Sequence, residues 1–490
     1  MKLLFSITIL FISLVFVVLA VEQHPTAVKD INVEELKVKP LQPAHDDHEA
    51  RVKRFLNNKG GDHFSKRVAI IGGGIGGSSC AYYLHNQLGS RLEITVFERE
   101  MVGGRARIVD IDGSPAELGG SIIHPLNENI NQLVKDLKLE VYYPEKNGTI
   151  FSIWNGEKMI FQQSTLHHLV DKFKMIYNYL LDPIRFKNSR DVVVNNFLKS
   201  YKYEEPFNTV QEFFDRIDLP DITKVTAEQF FVTNASISKP FIEEILSAAI
   251  RVNYNQDYDK IAAFAAMIAL VGAEDDLYAI KGGNYLLAKK MLEKSQSATI
   301  KQSVKTIKKE KESYKITAVN QEGTEKDYEF DIVILATPLE LANIKLQDID
   351  NANNIVHKEY KTVNTYLIAA TSLNPTYFGL PPNEKIPEHV LTSHNKSIPF
   401  FVASRNPRGI IKDGRTLFKM FSENKLDEEL FSKLFNNHTT LKLHAWKAYP
   451  VLTPTSKFPP IKIDNNLYYI NAFEHAVSTM ETETIASKNL

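Results

Sequence analysis

Arg67-Val68-Ala69-Ile70-Ile71-Gly72-Gly73-Gly74-Ile75-Gly76-Gly77-Ser78-Ser79-Cys80-Ala81 is the stretch whose reading decides the fold. Its first five residues form a short apolar run, bounded as a buried strand would be. The glycines follow at once, and Ser78 to Leu84 reads as a helix. A second strand-like run, Leu92-Glu93-Ile94-Thr95-Val96-Phe97, ends on Glu98. Strand, glycine turn, helix, strand and acid in that order predict a Rossmann-like unit. Gly72, Gly74 and Gly77 hold the G-x-G-x-x-G positions, whose jobs are a tight turn, close approach of backbone to a pyrophosphate, and close helix–strand packing. The helix N-terminus offers N–H groups and partial positive charge to that pyrophosphate. Glu98 stands about 20 residues on, where a carboxylate accepts hydrogen bonds from a ribose. A lone glycine motif is weak. This one carries both strands, the helix and the acid, so a bound dinucleotide is expected over a glycine-rich turn in some other α/β domain.

Just beyond Glu98 and Arg99 comes Met101-Val102-Gly103-Gly104-Arg105-Ala106. Gly104 lets backbone pass near a ligand, and Arg105 supplies a planar fixed cation for phosphate or flavin oxygens. Ala116-Glu117-Leu118-Gly119-Gly120-Ser121 repeats the device with Gly120 and Ser121. Either could be an ordinary turn. Two Gly-Gly pairs directly after a dinucleotide unit point to a flavin site, which nicotinamide folds do not ordinarily need.

The chain has 490 residues, 43% hydrophobic and 24% charged, which suits two or three domains around a sizeable core. Lys+Arg is 58 and Asp+Glu 59, a net charge of −1, so the basic excess of a nucleic-acid binder is missing. Met1-Lys2 and the apolar run Leu3 to Leu19, closing on Val18-Leu19-Ala20, describe a secretory signal peptide over 1–20, with an uncleaved anchor as the alternative. Four N-x-S/T sequons, at Asn147, Asn234, Asn395 and Asn437, fit a lumenal route. Cys80, the sole cysteine, reads as a packing residue. No cluster suggests a metal; His45 and His48 fall in a flexible leader over 21–65.

A cofactor domain is expected in three pieces, 66–140, 279–340 and 461–490, with a mixed α+β substrate domain between them at 141–278 and 341–460. The first substrate segment looks helical. Leu166, Leu169, Val170, Phe173, Ile176, Tyr177 and Leu180 fall at helical spacing, Phe241 to Ile250 is amphipathic, and Ile261 to Val271 is apolar nearly all round. Thr299–Val304, Tyr314–Asn320 and Tyr328–Phe330 alternate as strands of a small sheet, and Val304 is counted as a cofactor contact. Asp331 to Leu335 reads as a buried strand returning to the first sheet. Tyr366–Ala370 and Leu417–Phe421 suit strands of the second domain. Near the end, Leu467 to Ile470 is a strand, and Ser478 to Ala486 begins a helix. Thr479, Met480 and Glu481 would sit at its N-terminus, whose dipole can stabilise charge on a reduced flavin.

Together these pieces resemble the prenylcysteine oxidase (prenylcysteine lyase) family of FAD-dependent, amine-oxidase-like flavoproteins. The resemblance rests on Val68–Cys80, Val102–Arg105, Leu118-Gly119-Gly120-Ser121-Ile122-Ile123-His124-Pro125, Arg251-Val252-Asn253-Tyr254-Asn255-Gln256, Ala279–Asn284 and Tyr468–Ala486. The family has Gly where this chain has Asn255, a residue that also tolerates positive φ. The resemblance implies a glycosylated lysosomal flavoenzyme that cleaves farnesyl- or geranylgeranyl-cysteine with O₂ and water, giving isoprenoid aldehyde, cysteine and peroxide. Its partners would be a lipidic substrate and O₂, with peripheral membrane contact compatible and oligomeric state open.

His124 is a candidate to orient water or take its proton, since histidine titrates near lysosomal and neutral pH; a structural histidine before Pro125 is the alternative. Arg251, Asn253 and Tyr254 are candidates for the substrate head or the flavin edge, against a plain hydrogen-bond network. Amine oxidases commonly place a Lys beside the flavin on a second-domain strand. None lies within Thr365–Ala370, which disfavours an amine or polyamine oxidase. A non-catalytic lipid or flavin carrier is the further alternative.

Overall fold

The computed structural model describes residues 65–143, 151–162, 168–272 and 276–490. The signal segment, the leader, the Asn147 sequon and Leu166 lie outside these. A six-stranded sheet forms the base, in the order Lys462–Asp464, Leu467–Tyr469, Ile332–Leu335, Lys66–Ile71, Leu92–Phe97, Ala298–Ile300. All its pairings are parallel except the first, between Lys462–Asp464 and Leu467–Tyr469. The Asp331–Leu335 run does return beside the first strand, with Val68 opposite Ile332. Parallel strands covered on both faces read as continuous apolar runs, and Val68 to Ile71 and Ile332 to Leu335 read that way.

One strand departs from expectation. Thr299–Val304 is not a single strand. Ala298–Ile300 completes the parallel sheet, and Ser303–Glu310 opens a four-stranded sheet with Ser313–Val319, Glu325–Phe330 and Lys345–Gln347. The chain turns at Lys301-Gln302, and Val304 falls just past the bend.

A second large sheet has seven strands: Thr439–Pro450, Tyr360–Ala370, Thr416–Ser422, Val402–Ile410, His389–Thr392, Phe151–Trp154 and Met159–Gln162. Tyr366–Ala370 pairs with Leu417–Phe421 as neighbours. The segment expected to be helical after 141 thus begins with two strands that complete this sheet. Its helices follow: His168–Tyr179, Asp182–Leu198, Ser247–Tyr254 and the buried Ala263–Val271. Asp182-Pro183 starts the second of these, because Pro is tolerated in a first turn, where its missing N–H has no partner to lose. Asn255 closes Ser247–Tyr254 in the left-handed region at φ 52°, the conformation for which Asn substitutes for Gly.

Candidate functional site

The parallel strands deliver three loops to one end of the sheet, where ligands of open α/β folds collect. There a cavity of ≈ 580 Å³ opens, bounded by Ile71 to Gly76, Phe97 to Arg107, Ala336 to Pro338, Trp446 to Tyr449 and Ser478 to Met480. Its volume falls within the ~300–1,000 Å³ usual for ligand pockets.

The three motif glycines behave differently. Gly72 turns at φ 115°, and a Cβ there would stand 2.4 Å from the Ala336 carbonyl oxygen. Gly77 packs so tightly that a Cβ would meet the Gly72 oxygen at 1.9 Å. Gly74, the N-cap of the helix Ile75–Leu88, has space around it; its nearest neighbour to a Cβ is Gly104 Cα at 3.9 Å. Turn, packing and open approach are therefore divided as the motif requires. Glu98 lines the cavity. Its Oε2 accepts from Gly73 N at 2.9 Å and its Oε1 from Glu100 N at 2.8 Å, which fixes the carboxylate while each oxygen keeps a further lone pair.

Arg105 is the hinge between the pieces. Its guanidinium ion-pairs with the buried Glu474 and donates to the Ala448 carbonyl at 3.0 Å. Glu474 also accepts from Tyr360 Oη at 2.9 Å, Ser478 Oγ at 2.7 Å and Asn471 Nδ2 at 3.1 Å. Burial opposes its charge, but Arg105 and these donors hold its carboxyl below the usual value. Glu483 reaches the same cavity with no ion pair among the described residues. Asn471 Nδ2 approaches its two oxygens at 3.3 and 3.5 Å, and its Oε2 crowds Gly76. Burial, then the charge of Glu474, push its carboxyl up to about 8, so it is a neutral acid at pH 7.

Arg99, Gly104, Arg105, Gly120, Val304, Thr479 and Met480 all line this cavity, with Gly72, Gly74 and Glu98. Thr479 also N-caps the helix Met480–Lys488, accepting from Thr482 N at 3.0 Å. Several other candidates stand elsewhere. Gly77 is a packing residue. Ser121 lies in a second cavity. Glu481 points away: its oxygens accept from Asn129 N at 2.9 Å, Ile130 N at 3.0 Å and Tyr201 Oη at 2.8 Å, so it caps the helix Glu128–Asp136. Residues two apart on a helix are turned by about 200°. Glu481 and Glu483 therefore face opposite ways, and the carboxyl at the cavity is Glu483.

None of the four candidate catalytic residues lines the first cavity. His124 Nδ1 accepts from Leu126 N at 3.0 Å, a turn contact before Pro125. Arg251 is buried, pairs with Asp257 at 2.6 Å and lies over the Phe401 ring at 4.9 Å. Asn253 Nδ2 donates to the carbonyls of Ala249 and Ala269 and ties two helices together. Tyr254 comes nearest: its Oη donates to the Ser478 carbonyl at 3.0 Å, and its ring meets Tyr449, which does line the cavity. The hydrogen-bond-network alternative describes Arg251 and Asn253. Of the sequons, Asn234 and Asn437 are exposed, whereas Asn395 spends its Nδ2 on the Asn155 carbonyl at 2.7 Å. Cys80 is buried, with its thiol pushed up to about 12 by burial, as a packing residue should be.

The prenylcysteine lyase family profile matches residues 161–490, and an NAD(P)-binding Rossmann-like domain matches residues 70–137. The chain belongs to the prenylcysteine lyase family. It is 33% identical to human prenylcysteine oxidase 1 over 86% of this chain and 87% of that one. It is 30% identical to the farnesylcysteine lyase of Arabidopsis thaliana over 86% and 87%. A redesigned putrescine oxidase shares the fold at TM-score 0.59 and 13% identity, covering 86% of this chain and 97% of its own. Membership explains why Arg251 to Gln256 is a recognisable signature although it does not line this cavity. Gln256 Nε2 donates to the Pro450 carbonyl at 3.0 Å and its Oε1 accepts from Leu452 N at 2.8 Å. The signature thus secures the strand that carries Trp446 and Tyr449 into the cavity.

Residues missed by sequence reasoning are Glu474, Glu483, Trp446 and Tyr449. Two acids spaced by two residues in the last helix signal that one faces inward; the spacing does not say which. Glu474, Trp446 and Tyr449 carry no local signal.

Proposed function

We propose that the protein is an FAD-dependent thioether oxidase acting on prenylcysteine. The observation that carries this is whole-chain similarity to prenylcysteine-cleaving relatives combined with a glycine-walled cavity built from three distant stretches. The residues present suit FAD: Gly74 leaves room for a diphosphate at a helix N-terminus, and Glu98 is fixed for the adenosine ribose. Thr479 and Met480 bring a second helix N-terminus to the other end. Bound FAD would supply the two-electron oxidant, and O₂ would regenerate it. The sum is thioether, O₂ and water giving aldehyde, cysteine thiol and hydrogen peroxide. The chain's own part is to hold charge and exclude water. Arg105 and Glu474 lock the loop after Glu98 to the turn Ile470–His475 that precedes the final helix, so the walls are set before a ligand enters.

The fold shared with putrescine oxidase leaves amine oxidation as the second reading. Anaerobic addition of farnesylcysteine should bleach the yellow flavin absorbance and release farnesal. Bleaching by amines alone would overturn the proposal, and an unchanged spectrum with every substrate would identify a carrier. By the same reading the enzyme enters the secretory pathway and works in the lysosome. The apolar run at Leu3 to Leu19 and the sequons support entry, and the family resemblance supports the destination.

A further inference from the structure

The final helix, Met480–Lys488, packs along the dinucleotide helix Ile75–Leu88. Ser487 Oγ donates to the Gly76 carbonyl at 2.8 Å and pins one to the other. This packing carries the Glu483 carboxyl to the first turn of the dinucleotide helix. Its Oε2 stands 2.4 Å from where a Cβ on Gly76 would be, and both residues line the cofactor cavity. That first turn has no side-chain cap and no acid of its own. Its N–H groups are the ones left for a diphosphate. Glu483 thus stands beside the place of a ligand group that is itself an anion.

The cations that line the cavity are committed elsewhere. Arg105 is paired with Glu474, Arg99 and Arg107 are paired with Glu100, and Lys447 Nζ donates to the Tyr360 carbonyl at 2.8 Å. The Glu483 carboxyl has one hydrogen-bond partner among the described residues, Asn471 Nδ2, which it shares with Glu474. Two carboxyls served by one amide and one guanidinium are most stable when one of them keeps its proton. Glu474 has Arg105, Tyr360 and Ser478 as donors. The proton therefore falls to Glu483. The titratable groups that face Glu483 are Glu474 from the turn Ile470–His475, Arg105 from the loop after Glu98, and Tyr469, whose ionisation the Glu483 charge opposes. The dinucleotide helix meets it with Gly76, and Glu481 is turned toward the helix Glu128–Asp136.

We propose that Glu483 is a cofactor contact that carries a proton: its carboxyl donates O–H to the diphosphate of FAD, and the protein takes up a proton with FAD wherever the empty site has lost it. The proposal rests on the FAD reading and adds to it a contact and a linked proton. A protonated carboxyl is a donor, whereas a carboxylate only accepts. A carboxylate here would face the diphosphate with no free cation between them. The oxidised isoalloxazine is neutral, so the diphosphate is the part of FAD that demands the proton. Without ligand, Glu483 keeps its proton up to about pH 8. Below that pH, FAD enters with no change in protonation. Above it, each FAD must bring a proton in, and affinity falls as pH rises.

The test reads FAD released from the full-length holoprotein on dilution, by the fluorescence of the free flavin, at a series of pH values. The wild-type dissociation constant should be flat below about pH 8 and then rise by up to about ten-fold per pH unit. Glu483→Gln, which keeps a donor at every pH, should give a flat profile. Glu481→Gln, on the same helix but facing away, should keep the wild-type rise. Lys358 also titrates near pH 8, where burial has pulled it, but it does not line the cavity; if it were responsible, the rise would survive in Glu483→Gln. A thermal melt at each pH checks that every protein is folded. A second measurement needs no variant: calorimetry of FAD rebinding to the flavin-stripped wild-type chain, in two buffers of different ionisation enthalpy, should show close to one proton taken up above about pH 8. A rise that survives in Glu483→Gln, or rebinding with no proton uptake there, overturns the proposal and leaves the FAD reading standing. A wild-type protein that neither carries nor rebinds FAD overturns both.

Discussion

The two cavities flank one dipeptide, Gly120-Ser121, yet they are built of different material. The first is walled largely by backbone: glycines at 72, 74, 76, 103, 104 and 120, and two helix N-termini. A side chain at Gly72 would strike the Ala336 carbonyl in this wall, and one at Gly77 would strike the Gly72 carbonyl behind it. The second is walled by side chains from separate strands, Glu117 from a hairpin and His389, Ser404 and Lys419 from the seven-stranded sheet. Backbone geometry recognises what a ligand class shares. Side chains recognise what distinguishes one substrate from another.

The largest effect should come from adding a single carbon to the glycine turn that supports the backbone wall. Gly77→Ala puts a Cβ 1.9 Å from the Gly72 oxygen, a backbone overlap deeper than the overpacking that usually costs about 1–3 kcal/mol. The variant should be colourless and either unfolded or strongly destabilised in a thermal melt; normal flavin content would break the comparison. Next comes Arg105→Met, which strands Glu474 in a dry interior. Breaking a buried pair costs about 3–5 kcal/mol. Urea unfolding should show that loss, and Arg105→Met combined with Glu474→Gln should recover part of it.

The finest distinction separates the two acids of the final helix. Glu481→Gln should cost about 1 kcal/mol through a weakened helix cap and leave flavin binding unchanged. Glu483 behaves oppositely. Its folded value, about 8, exceeds the ordinary 4.5, so the folded state holds the proton more tightly. Its contribution is fully present below about 4.5, falls as pH rises, and is gone above about 8. Glu483→Gln should therefore flatten the decline in stability between those limits, measured by thermal melts across pH. An unchanged slope would mean that another group titrates there.

The legible parts were those whose requirements are local. The apolar run Val68 to Ile71, the glycine spacing and Glu98 state a strand, a turn and an acid after the second strand within one short stretch. Thr479 is a helix cap by residue type and position. Illegible parts were those in which a side chain's meaning depends on a distant partner. Arg251 looked like a substrate cation, but Asp257 and Phe401 occupy it. His124 looked like a base, but it serves a turn.

What the chain by itself determined is the dinucleotide cradle and the family, because steric limits on φ, on turns and on close packing act between neighbours in sequence. What only the tertiary structure decided is which of several equivalent acids and cations face a cavity. That choice is made by desolvation and pairing among groups hundreds of residues apart, as Arg105 with Glu474 shows.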